Sequence, residues 1–168
     1  YIIVPAEISS NLSRYDGQRY GYSKSDAKDL TDSFSGSRGT GFNAENKRRI
    51  MIGTYVLSSG YYDAYYKKAA LLRTKLINEM NKAFEQVDFL IGPVAPTTAP
   101  KVGENADDPL KMYLLDIMTV PVNLCGVPAI SIPCGESNGM PVGLQVIAPM
   151  KKDKELLEFA ALYEGVKK

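Results

Sequence analysis

The stretch Asp116-Ile-Met-Thr-Val-Pro-Val-Asn-Leu-Cys-Gly-Val-Pro-Ala-Ile-Ser-Ile-Pro-Cys-Gly135, closed by Pro141-Val-Gly-Leu-Gln145, constrains the fold more than any other part of the sequence. It reads as a helix carrying one acid, a loop punctuated by Pro and Gly, a buried strand over 129–133, a hairpin turn, and a second strand over 143–147. Asn138-Gly139 suits the turn, since a tight hairpin needs positive φ at both central positions. A chain built this way holds a small-molecule pocket beside a sheet.

The rest of the pattern is mostly helical. Residues 1–5 are apolar and β-branched and read as a strand already under way, followed by a polar loop over 6–11. The abrupt start points to a piece cut from a longer protein. Asp16-Gly17 marks a turn. Residues 25–34 suit a short helix with Ser25 as N-cap and Asp26 in its first turn, and the Gly/Ser-rich residues 35–41 read as a loop. Asn43 is a good N-cap for a helix over 44–57, with Glu45 in the first turn. Ser58-Ser59-Gly60 breaks it. A long helix follows over 63–84, with Tyr65, Ala69, Leu72, Leu76, Met80 and Ala83 recurring at steps of three and four.

Residues 87–92 read as a strand buried on both faces, and residues 93–100, with three prolines, as a loop. Asp108-Pro109 opens a helix that carries Met112, Leu115 and Asp116 and that Pro121 ends. Asp153 caps a last amphipathic helix through about Val166. With no repeat and no internal boundary, the expected fold class is α/β: helices packed on part of a mixed sheet, in a single portion spanning 1–168.

Composition removes several functions. Twenty basic and nineteen acidic residues leave a formal charge of +1, so no global field points to nucleic acid or a membrane. No apolar run approaches the ~18 residues of a membrane span. The absence of histidine takes away the commonest general base and the commonest metal ligand. Cys125 and Cys134 read as buried thiols of a cytosolic protein, not a bridge. No serine has a Gly-x-Ser-x-Gly elbow or Ser-x-x-Lys spacing, and Gly36 to Gly41 matches no phosphate-binding fingerprint.

Two sets of charges remain. Lys47-Arg48-Arg49 lies in the first turns of a helix, where successive residues point ~100° apart and cannot all face one ligand. It reads either as a solvated basic turn or as one inward guanidinium gripping a carboxylate through two parallel hydrogen bonds. Asp116 sits among Tyr113, Leu114, Leu115, Ile117 and Met118, where a carboxylate is costly unless paired or aimed into a cavity. It reads as a salt-bridge partner or a ligand contact. An inward Arg and an inward Asp together suit a free α-amino acid.

The longer motifs go further. Ala6-Glu-Ile-Ser-Ser-Asn-Leu-Ser-Arg-Tyr-Asp-Gly17, Lys47-Arg-Arg-Ile-Met-Ile-Gly-Thr-Tyr55, Leu57-Ser-Ser-Gly-Tyr-Tyr-Asp-Ala-Tyr-Tyr-Lys-Lys68 and the block from Asp116 to Gly135 resemble the amidase signature family. Within it they are similar to the A subunits of bacterial tRNA-dependent amidotransferases. The likeness covers nearly the whole chain. It departs at Asn43-Ala-Glu-Asn46 and Val94-Ala-Pro-Thr-Thr97, segments expected to lie away from both charged candidates.

The resemblance implies a partial amidase-signature fold and a C-terminal portion of such a protein. The family's Ser–cis-Ser–Lys triad would lie upstream of residue 1, so no catalytic residue is expected here and the piece alone is expected to be inactive. By the same resemblance Arg49 grips the α-carboxylate of glutamine and Asp116 its α-ammonium. Ammonia from glutamine would pass to a partner B subunit, which uses ATP and Mg to convert Glu-tRNA(Gln) or Asp-tRNA(Asn), with a small C subunit bracing the contact. No cofactor is expected in this chain, and a cytoplasmic location is. The alternative is a general amidase acting on small amides without a tRNA partner. Sheet edges uncovered by the missing upstream part are expected to make the piece self-associate.

Overall fold

The computed structural model describes residues 1–104 and 108–166. No internal boundary is evident in the sequence, yet the fold divides into two compact units, Tyr1–Leu72 and Arg73–Lys168.

The first unit is helical. The expected opening strand and polar loop are instead one helix, α1 (Ile3–Leu12). Local β propensity loses to packing here: Ile3 and Ala6, one turn apart, are buried while Val4 and Glu7 face outward. What they pack on is α3 (Ala44–Leu57). At Gly53 of α3 the missing side chain lets the backbone of α1 approach, since a Cβ there would sit 2.0 Å from the Pro5 carbonyl oxygen. The start of α3 is as expected, with the Asn43 side chain accepting from the Asn46 N–H at 2.8 Å.

Between them lies α2 (Leu30–Gly41), which corrects the expected helix over 25–34 and the loop after it. Asp29, not Ser25, is the N-cap and accepts from the Asp32 N–H at 2.8 Å. The Gly/Ser-rich run is helical because small residues admit the preceding strap. Buried Ser37 accepts from the Lys24 N–H at 2.9 Å, and the Lys24 stem fills the space above Gly36. Gly17 takes φ +83 in the expected turn, hard against Ser37, and Asp16 Oδ1 accepts from the Gln18 N–H at 2.8 Å. Arg38 donates to the Leu12 and Tyr15 carbonyls, each at 2.9 Å, closing the end of α1.

As expected, the chain breaks at residues 58–60, where Gly60 has φ +87. It resumes in a π-helical turn, Tyr62–Lys67, that runs into α4 (Lys68–Phe84). The Tyr55 and Tyr61 rings lie 4.3 Å apart, and their hydrogen bond pushes the Tyr55 phenol up to about 12. The boundary between the units falls within α4. Its expected apolar face is only partly covered: Ala69, Leu76, Met80 and Ala83 are half-buried, while Leu72 is 66% exposed.

The second unit is built on an antiparallel sheet of order β1-β3-β2, from β1 (Leu90–Pro93), β2 (Ala129–Ser137) and β3 (Met140–Ile147). Strand β1 corrects an expectation. It is an edge strand with Ile91 57% exposed, not one buried on both faces. The β2–β3 hairpin closes at Asn138 (φ 53) and Gly139 (φ 74), the two positive values such a turn demands.

Alternation gives the sheet two chemically distinct faces. On one face Ile132 and Val146 are fully buried, and with Ala148 they pack against Leu156 and Ala160 of α7 (Asp153–Val166). Phe89 and Phe159 meet beside them with ring centroids 4.8 Å apart. Asp153 occupies the first turn of α7, whose Leu156 N–H bonds the Lys152 carbonyl. On the other face Ser131 stands opposite Gln145, and Pro133 opposite Gly143.

Candidate functional site

The segment over that second face was expected as one helix through Asp116, ended by Pro121. It is two short helices joined by a turn. Asp108 caps α5 (Pro109–Leu114), accepting from the Leu110 and Lys111 N–H groups at 3.1 and 3.2 Å. Pro121 does not end a helix; it lies in the first turn of α6 (Val120–Cys125), where its missing N–H costs nothing. Gly126, at φ 70, closes α6, and Arg73 Nε donates to the Leu124 carbonyl at 2.8 Å.

Asp116 therefore sits in the turn at 115–119, not within a helix. Its carbonyl accepts from the N–H groups of Thr119 and Val120, both at 3.0 Å, and from Thr119 Oγ1 at 3.2 Å. These bonds fix the peptide and leave the carboxylate exposed. Asp116 lines a cavity of about 780 Å³, whose wall also includes Thr97, Thr98, Thr119, Ser131 and Gly143. Among the described residues lining that cavity Asp116 is the charged one. One carboxylate among hydroxyls in a concave site suits a cationic or ammonium-bearing small molecule. Ser131, read as structural, lines this cavity without a basic side chain among its lining residues to activate it.

Arg49 lies in the first unit, on α3. Of the basic trio it is the half-buried one, with its side chain 34% exposed against 50% for Arg48. Lys47 reaches instead to the Gly39 carbonyl. Arg49 Nε donates to Glu45 Oε1 at 2.8 Å, while Arg48 Nη1 donates to Glu45 Oε2 at 2.9 Å. One carboxylate thus orients two guanidinium groups one helical turn away. The departures at 43–46 and 94–97, expected to lie away from both charged candidates, instead supply the Glu45 partner of Arg49 and part of the wall of the Asp116 cavity. Both cysteines are free thiols, Cys125 buried and Cys134 half-buried, and burial pushes the Cys125 thiol up. Among the described residues no cluster of His, Cys, Asp or Glu could hold a metal, and no helix is long and apolar enough to cross a membrane.

One residue at this site carried no role in the sequence reading. Gln145, 5% exposed, is one of two buried polar residues among those described. Its Nε2 donates to the Met118 carbonyl at 3.2 Å, tying β3 to the Asp116 turn. The signal was a lone amide inside the apolar run Val142-Gly-Leu-Gln-Val-Ile147.

An antiparallel sheet with helices on both faces and a cavity beside the Asp116 turn makes an α/β unit, and the family model described as Amidase matches residues 1–157. The chain belongs to that family. It is 56% identical over all its 168 residues to the glutamyl-tRNA(Gln) amidotransferase A subunit of Thermoanaerobacter pseudethanolicus, covering 34% of that protein. It is 54% identical to the same protein of Synechococcus sp. over 98% of this chain and 34% of the relative. The chain thus spans about a third of the length of the curated relatives it matches.

The crystal structure of the glutamyl-tRNA(Gln) amidotransferase A subunit from Thermotoga maritima superposes with a TM-score of 0.58 at 47% identity, covering 77% of this chain and 28% of that one. The crystal structure of an amidase superposes with a TM-score of 0.63 at 25% identity, covering 96% of this chain and 35% of the other.

Proposed function

We propose that this chain forms part of the A subunit of a tRNA-dependent amidotransferase, the component that releases ammonia from glutamine. The observation that carries the reading is the 56% identity along the full chain to a glutamyl-tRNA(Gln) amidotransferase A subunit. The ammonia goes to a partner B subunit, where ATP and Mg activate Glu-tRNA(Gln) or Asp-tRNA(Asn) for conversion to Gln-tRNA(Gln) or Asn-tRNA(Asn). A C subunit braces the assembly in the cytoplasm. This chain supplies substrate-binding groups and core; nucleophile and base belong to the rest of the protein.

In this reading Asp116 binds the α-ammonium of glutamine, and Arg49 its α-carboxylate. The Asp116 cavity supports the first role, being lined by one carboxylate and several hydroxyls. The second role rests on the likeness to the A subunits, and Arg49 is the half-buried residue of its basic trio, held through Nε by Glu45. The test is the full-length protein, assembled with B and C and assayed with glutamine and with ammonium as nitrogen donors. Arg49→Ala and Asp116→Ala should each lower the glutamine-to-ammonium activity ratio by more than tenfold, the loss expected when a charged hydrogen-bond partner is removed. Equal losses with both donors would refute the assignment, and amide hydrolysis with no dependence on tRNA would favour a general amidase.

A further inference from the structure

We propose that Gln145 is a positioning residue for Asp116, holding from the sheet the turn that presents the carboxylate to the ammonium group of an amino-acid substrate. The inference rests on the reading of Asp116 given above.

Gln145 is unusual for its place. Its neighbours in β3, Val146 and Ile147, are buried apolar residues, and a buried primary amide costs free energy unless it is hydrogen-bonded. Strand alternation turns it away from the core made by Val146 and α7, to the side where Ser131 and Gly143 also lie. There Nε2 donates to the Met118 carbonyl. Met118 is two residues beyond Asp116, and both belong to one bonded turn. The Asp116 carbonyl is engaged by Thr119 and Val120, and Asn123 Nδ2 donates to the Thr119 carbonyl at 2.9 Å.

These bonds shape the turn internally, whereas the Gln145 bond fixes it relative to the sheet. Asp116 and Ile117 are exposed, so apolar burial does little to hold this part of the turn. An exposed turn tied to a rigid strand by a buried amide keeps its carboxylate where the cavity wall needs it. A side chain in this position acts on binding without touching substrate.

The experiment uses the full-length protein with its B and C partners and measures KM and kcat for glutamine beside the rate with ammonium. Gln145→Met keeps length and volume but cannot donate. It should raise KM for glutamine about tenfold with little change in kcat, the effect of one lost buried hydrogen bond on placement. In an Asp116→Ala background the same substitution should add nothing, since its route to the substrate is gone. Gln145→Glu sets a buried carboxylate against the same carbonyl and should raise the glutamine KM at least as much as Gln145→Met.

An unchanged KM in Gln145→Met, alongside a raised KM in Asp116→Ala, would overturn the positioning role. So would multiplicative effects in the double variant, a parallel fall in the ammonium-dependent rate, or failure of both Gln145 variants to assemble. Equal losses with both donors in Asp116→Ala would instead sink the underlying reading of the cavity, which keeps the two failures distinguishable.

Discussion

Gly53→Ala should destabilise the protein although it replaces glycine with the best helix former inside a helix. Taken alone, the exchange stabilises a helix interior by about 1 kcal/mol. At Gly53 the new Cβ would lie 2.0 Å from the Pro5 carbonyl oxygen, 2.6 Å from the Pro5 carbonyl carbon and 2.7 Å from Ser9 Cβ. Two of those three atoms are backbone, so no rotamer change relieves the clash, and α1 must move off α3. Overpacking costs about 1–3 kcal/mol, and a backbone obstacle puts this case at the upper end. The net loss is about 2 kcal/mol, a fall of roughly 4–8 °C in Tm for a chain of this size.

Gly39→Ala is the matched control. Gly39 lies inside α2, and a Cβ there would meet nothing within 4 Å. That substitution should gain about 1 kcal/mol and raise Tm. Thermal and urea unfolding followed by circular dichroism measure both. The reasoning fails if the two substitutions shift stability in the same direction.

Arg38→Met should cost about 1.5–3 kcal/mol by stripping the Leu12 and Tyr15 carbonyls of a charged donor, read by urea unfolding. Asp32 should titrate below the ordinary carboxylate range, because the Lys28 N–H and the Lys24 ammonium both favour its ionised form. A depressed folded-state value stabilises above the unfolded-state value near 3.8 and is lost as pH falls through the folded one. Lys24 has the opposite sign: Asp32 raises it, so its contribution is present below its ordinary value of 10.5 and is lost as pH rises through the raised one. Carboxyl NMR titration of Lys24→Met should show Asp32 moving back up, and an unmoved midpoint would contradict the pairing. The isolated chain should self-associate, since edge strand β1 exposes Ile91 and α4 exposes Leu71 and Leu72. Light scattering showing a clean monomer would refute that.

Legibility followed whether the deciding contact was local. Asn43, Asp108, Asp16-Gly17 and Asn138-Gly139 act within three residues of themselves, and each stands where the sequence placed it. Residues 1–12 and 35–41 misled because their structure is set from a distance. The β-branched start is helical because Gly53, some fifty residues on, offers a slot for it, and the Gly/Ser run is helical because Lys24 and Gly17 cover its small residues. Strand β1 looked doubly buried because an apolar run shows that a strand is apolar, not how many neighbours it has.

The Asp116 turn shows the same division inside one site. Its residue type and apolar setting singled it out, but the helix expected around it misjudged how it is held. Pro121 is compatible with a helix start as well as a helix stop, and sequence spacing does not choose between them. What chooses is the sheet: Gln145 takes the Met118 carbonyl, and a continuous helix through 118 would commit that carbonyl to a backbone N–H further along the chain. The amide on β3 and the proline in α6 are thus two parts of one device. Proline allows the chain to restart after the turn, and glutamine holds the carbonyl exposed by the interruption. Removing the proline alone, by Pro121→Ala, should leave the turn in place and change the glutamine KM less than Gln145→Met does. If Pro121→Ala has the larger effect, backbone restriction rather than the Gln145 anchor fixes Asp116.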